Sequence, residues 1–74
     1  MKHPLTSIDK HIIAYLERNK DLLPEEIHSP RGILNKDLLL ELMNNALETG
    51  DISEPTRYML VTFNNYIIGQ LNEI

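Results

Sequence analysis

The segment Pro55–Ile74 constrains this chain more than any other, because read as one helix it is apolar on more sides than a surface helix needs. At about 100° per residue, Met59, Leu60, Phe63, Tyr66, Ile67, Leu71 and Ile74 share one broad arc. Val61 and Ile68, seven residues apart, form a second, smaller strip on a flank that a three-helix monomer leaves wet. The arc suits a core, and the strip asks for a partner. Gly69 lies inside the run, where glycine costs roughly 1 kcal/mol against alanine, so it marks either a close helix approach or a frayed last turn.

Seventy-four residues make one small domain, 1–74, below the size at which a core alone supplies generous stability. There is no cysteine, which excludes disulfides, and three scattered histidines do not make a structural zinc site. Self-association is the remaining support. Eleven acids against seven bases give a net charge of −4, which opposes the counterion release that drives nucleic-acid binding, so no nucleic acid is expected as a partner. The first residues hold no apolar run long enough for a signal peptide or a membrane span, and the lack of cysteine fits a reducing compartment. A soluble, unprocessed cytoplasmic protein with no membrane partner is the expectation.

Taken in order, residues 1–6 read as a flexible arm, since Pro4 biases His3 towards extended backbone. Thr6 or Ser7 can cap a first amphipathic helix at about 7–22, with Ile8, Ile12, Tyr15, Leu16, Leu22 and Leu23 on its apolar side and Lys10, Glu17 and Asp21 opposite. Leu23-Pro24 ends it. Residues 24–34, with two prolines and a glycine, read as a long connecting loop pinned to the core by Ile27 and Ile33. Asn35 is a good N-cap for a second helix at 35–49, with Asp37 in its first turn and Leu38, Leu39, Leu42, Met43, Ala46 and Leu47 along its apolar half. Gly50 suits the position after its end, Ser53 can cap the third helix, 54–73, and Pro55 sits in that helix's first turn. Helices two and three are expected to pack as an antiparallel pair. No strand pattern competes with these periods, so the expected fold is all α, a three-helix antiparallel domain dimerising through its third helix.

No catalytic constellation is visible: the serines suit caps, and Glu25, Glu26, Asp51 and Glu54 stand where loops and helix starts favour acids. Glu25, Glu26 and His28 offer one imidazole and two flexible carboxylates, which reads as a solvated acidic turn rather than a metal site. His11 sits near an apolar edge as a boundary residue. Gly32, Gly50 and Gly69 are isolated and follow no strand pattern, so no phosphate loop is formed. Neither an enzyme nor a cofactor is expected. Asn44, Asn45, Asn64 and Asn65 form two amide pairs that could bridge adjacent helices or simply face solvent.

The run Gly32-Ile33-Leu34-Asn35-Lys36-Asp37-Leu38-Leu39-Leu40-Glu41-Leu42, followed by Leu47-Glu48-Thr49 and Asp51-Ile52, resembles the YmgB/AriR family of small bacterial regulators. The likeness continues through Tyr58, Ile67 and Leu71 and covers a little over half of the chain. It implies a short helical protein that dimerises and acts without catalysis in two-component, biofilm or acid-stress control. The expected function is therefore regulation through contact with a protein target. The contacts would come from Tyr58, Val61, Asn64, Asn65 and Ile68 on the third helix, or from Glu25, Glu26, His28 and Arg31 in the connecting loop. A phage-type inhibitor or immunity protein is the alternative, since an acidic surface can mimic nucleic acid.

Overall fold

A computed structural model describes residues 2–72. Strand β1 (Lys2–Pro4) leads into α1 (Ser7–Arg18) and a 3-10 turn (Lys20–Leu22). The hairpin β2 (Glu26–Ser29) and β3 (Gly32–Asn35) follows, then α2 (Lys36–Thr49), β4 (Asp51–Ser53) and α3 (Glu54–Asn72). Met1, Glu73 and Ile74 lie outside the described residues, and with them the first residue of the expected arm, the expected end of the third helix and the last member of its apolar arc.

The all-α expectation is corrected: the fold is α+β, three helices with two small antiparallel two-stranded sheets. The segment expected as an arm is β1, which pairs with β4 in the register Lys2↔Ser53, His3↔Ile52 and Pro4↔Asp51. Leu5 N then donates to Gly50 O at 2.9 Å, carrying the chain past the proline that has no donor of its own. Ile52, buried between two polar residues, anchors this ladder to the core. The segment expected as a long loop is the β2–β3 hairpin, turned by Pro30 and Arg31 alone. Ser29 Oγ accepts from Arg31 N at 3.2 Å and donates to Gly32 O at 2.7 Å, and Gly32 takes φ +119°, a conformation that disfavours a side chain. The prolines and glycine that suggested irregular chain are the punctuation of a hairpin.

Helix ends follow local chemistry. Thr6 and Asp9 form a reciprocal capping box at α1, with Thr6 N donating to Asp9 Oδ2 at 2.9 Å and Asp9 N to Thr6 Oγ1 at 3.1 Å. Asn35 Oδ1 accepts from Leu38 N at 3.0 Å at the start of α2, and Gly50, at φ +76°, closes that helix by donating to Ala46 O. Ser53 Oγ accepts from Thr56 N at 3.3 Å at the start of α3. Helix α1 stops four residues before the expected 22, because Asn19 leaves helical geometry and its Nδ2 folds back onto Tyr15 O at 2.8 Å.

Helix α3 packs against both α1 and α2, and the core gathers around Ile13, Leu16, Leu39, Met43, Leu60, Phe63 and Ile67. The buried faces depart from the expected ones on all three helices: on α2 and α3 the buried stripe is narrower, and on α1 it is rotated. On α2, Leu39, Met43 and Ala46 are buried, Leu42 is half-buried, and Leu38 and Leu47 are exposed. On α3, Tyr66 and Leu71 lie at the exposed margin of the arc. On α1, Ile13 is buried while Ile8 is 71% exposed. Asp9, Ile13 and Leu16, spaced i, i+4 and i+7, form the inward stripe of that helix. Gly69 has nothing within 4 Å of where a Cβ would sit, so no close approach within the chain explains it.

The inward Asp9 is held by Arg57 of α3, whose Nε donates to Oδ1 at 3.1 Å and Nη2 to Oδ2 at 2.7 Å. Arg57 holds the Asp9 carboxyl below the usual carboxylate range, against the opposing pull of burial, and the Thr6 amide adds to the lowering. Between this lowered value and the ordinary aspartate value of about 3.9, the unfolded chain binds more protons, so the pair's stabilisation is whole above that window and fades as pH falls through it. Asp9→Asn is expected to cost about 1–3 kcal/mol at pH 7. The gap to the parent should narrow below about pH 4 in denaturant titrations. A gap independent of pH would remove the ion pair as its source. In the same measurement Phe63→Ala is expected to cost about 3–5 kcal/mol and Leu42→Ala distinctly less, in keeping with its half-burial.

Candidate protein-docking face

Two residues of α3 stand apart from its core side. Val61 is turned about 160° from Phe63 around the helix axis, and Ile68 lies within about 20° of Val61. Each is 42% exposed. Asn65 is exposed beside them, Asn64 is half-buried on the other margin, and Leu71 extends the strip towards the end of the helix. From Tyr58 to Asn72, fifteen residues, α3 carries no Asp, Glu, Lys, Arg or His, although a quarter of the whole chain (24%) is charged. Asn44 and Asn45 are exposed on α2, and no side-chain hydrogen bond joins them to Asn64 or Asn65 among the described residues.

The loop residues named from the sequence are placed by the hairpin. Arg31, at its tip, lays its guanidinium over the Tyr58 ring at 4.5 Å from the centroid. This contact joins the two groups of candidate residues, because it seats the hairpin tip against the first turns of α3. Glu26 and His28, two residues apart, share one face of β2, with His28 Nε2 3.7 Å from Glu26 Oε1. Ile33 faces His28 across the ladder and is 59% exposed on that same outward side. The inward side is made by Ile27 and Leu34, which pair with each other and pack on the core. Ile27 thus pins the hairpin as expected, and Leu34 takes the place given to Ile33.

Glu25 stands away from this group at the hairpin base. Its Oε1 lies 3.2 Å from Lys36 Nζ, and its carbonyl accepts from Lys36 N at 2.9 Å, which clamps the entry of the hairpin to the start of α2. Glu25, Glu26 and His28 therefore do not converge, and among the described residues no group of three His, Asp or Glu is placed to hold a metal ion. A cleft of about 90 Å³ beside Asn45, Thr49, Asp51 and Ser53 is far below the several hundred Å³ of small-molecule sites, and the larger depression of about 360 Å³ beside Ser7, Lys10, His11 and Ala14 is shallow and open on the surface of α1. His11 is exposed on α1. The residue that spacing gave no sign of is Arg57, which joins α3 to α1 next to the candidate face. Its paired charge could be found only by knowing that Asp9 points inward.

The chain matches no protein-family model, no curated protein and no solved structure. Its resemblance to YmgB/AriR regulators rests on the residues quoted for it.

The Arg31–Tyr58 contact is exposed on the cation's side, where such pairs contribute about 0.5–1 kcal/mol. Arg31→Ala is expected to lower stability by that amount, and Tyr58→Leu by a similar or larger amount because it also loses packing. Hydrogen exchange of the β2 and β3 amides should quicken in both. Exchange unchanged in Arg31→Ala would mean that the ladder alone fixes the hairpin.

Proposed function

We propose that this chain is a small non-enzymatic regulator that acts by docking on a protein target through the outer face of α3 and the adjoining hairpin. The observation that carries the reading is the uncharged stretch Tyr58–Asn72, whose Val61 and Ile68 face outward from a chain of net charge −4. Charge depletion with apolar and amide side chains is the composition of an interface centre, and the polar Glu26, His28 and Arg31 around the hairpin supply a rim. The resemblance of residues 32–71 to YmgB/AriR regulators supports a place in two-component, biofilm or stress-response control. Absence of cysteine suits a cytoplasmic setting, and among the described residues no helix is long and apolar enough to cross a membrane.

Affinity capture with mass spectrometry tests the reading by comparing the parent chain with Val61→Glu/Ile68→Lys. The parent is expected to retain a specific protein that the double variant loses, with helical circular dichroism unchanged between the two. Identical sets of captured proteins would overturn the outer face of α3 as the docking surface.

A further inference from the structure

The geometry points to the free edge of β2 as the place where an extended, basic segment of the partner protein adds to the hairpin as a third strand. This rests on the docking reading and says how the hairpin half of that surface binds. The phase of the ladder decides which backbone groups are free. Lys36 N donates to Glu25 O at 2.9 Å, so Glu25 and Lys36 are a hydrogen-bonded pair. Antiparallel pairs alternate, which makes Ile27↔Leu34 and Ser29↔Gly32 hydrogen-bonded pairs and leaves Glu26↔Asn35 and His28↔Ile33 non-bonded. Glu26 and His28 therefore turn their N–H and C=O groups away from β3, to the outer edge. The sheet has two strands, and among the described residues no backbone hydrogen bond outside the ladder engages either residue.

The two sheets treat their edges differently. Strand β1 carries Lys2 and Pro4, a cation and a residue with no donor, which are devices that keep stray strands away. Strand β2 has neither between Glu26 and Ser29. Its own side chains select instead of excluding. Glu26 is exposed on the outward side of the strand with exposed Glu25 just before it, so an incoming strand is favoured when lysine or arginine faces them. A second copy of β2 would bring the same acids on a chain of net charge −4, which opposes self-pairing. On the inward side Ile27 is half-buried at the margin of the core, and an apolar residue of the added strand would lie beside it and extend the layer it forms with Leu34. Main-chain bonds supply the affinity, and the alternation of apolar inward and basic outward side chains selects the partner.

The test titrates the full chain with an end-blocked peptide that alternates valine with lysine and threonine, while NMR follows the backbone amides. Those of Glu26 and His28 should shift. At about ten times the dissociation constant their hydrogen exchange should slow about tenfold, whereas Ile27 and Ser29, already bonded in the ladder, should change little. Glutamate in place of the peptide's lysines should weaken binding severalfold. The same peptide carrying N-methyl groups on the residues that face β2 should not bind, because strand pairing needs those donors. His28→Pro removes an edge donor that the ladder does not use, so it should lose the peptide and keep its helical circular dichroism. The N-methylated peptide reads the edge without altering the protein, so the test holds even if His28→Pro fails to fold. Equal binding of the N-methylated peptide, shifts confined to Val61 and Ile68, or no binding at all would each overturn strand addition. Shifts of the Glu26 and His28 amides with protein concentration alone would also overturn it, by making a second copy the occupant. Val61→Glu/Ile68→Lys should bind the peptide as the parent does. A target captured through Val61 and Ile68 while the β2 amides stay unshifted would leave the docking function standing without the added strand.

Discussion

A carboxylate almost shut off from water sets the orientation of α1. The Asp9 side chain is 5% exposed, and a charge in that position is tolerated only when its oxygens are satisfied. Two guanidinium nitrogens of Arg57 and the amide of Thr6 satisfy them. Once Asp9 must point inward, Ile13 and Leu16 follow it by helical spacing, and Ile8 is carried outward. The same pair fixes the first turns of α3. Arg57 reaches back to α1 while its neighbour Tyr58 lies under Arg31 of the hairpin, so these turns are held between two elements by consecutive side chains.

This arrangement explains which parts of the fold were legible. Caps are decided within four residues, and Thr6, Asn35, Gly50 and Ser53 each sit where their own side chain or backbone conformation suits a helix end. The strands are decided elsewhere. A strand of three or four residues is too short to show a period, and β1 is completed by a partner some fifty residues away in sequence, with Lys2 opposite Ser53. In the hairpin, register chooses between neighbours. Ile27 faces Leu34, so Ile33 must face outward, and nothing in the composition of residues 24–34 makes that choice before the turn at Pro30 and Arg31 is known. The arc of α1 was read from Ile8, Ile12, Tyr15 and Leu16 without Ile13 or Asp9, because the cation that lets Asp9 turn inward, Arg57, lies on another helix.

The candidate face divides in the same way. The strip of Val61 and Ile68 is a property of one helix and can be read from spacing. Its junction with the hairpin is a tertiary fact, visible only when Arg31 is found over Tyr58. Sequence alone offered the helix group and the loop group as alternatives, and the fold makes them neighbours at Tyr58.

Helix α3 thus presents two unlike faces. Leu60, Phe63 and Ile67 belong to the core, and Val61 and Ile68, on the far side, are each 42% exposed and outside it. Because the faces are separated by most of a half-turn, changes at Val61 and Ile68 should disturb the core far less than changes at the fully buried Phe63. The separation also has a cost. An apolar strip in water gains nothing until it is covered, and a domain of this size has little stability to spare for side chains that do not pack. Binding to the outer face would return that stabilisation and quiet the last turns around Leu71, whose side chain is exposed in the single chain. On the proposed docking, association and stability would be linked through one helix, and the protein would be least stable when it is alone.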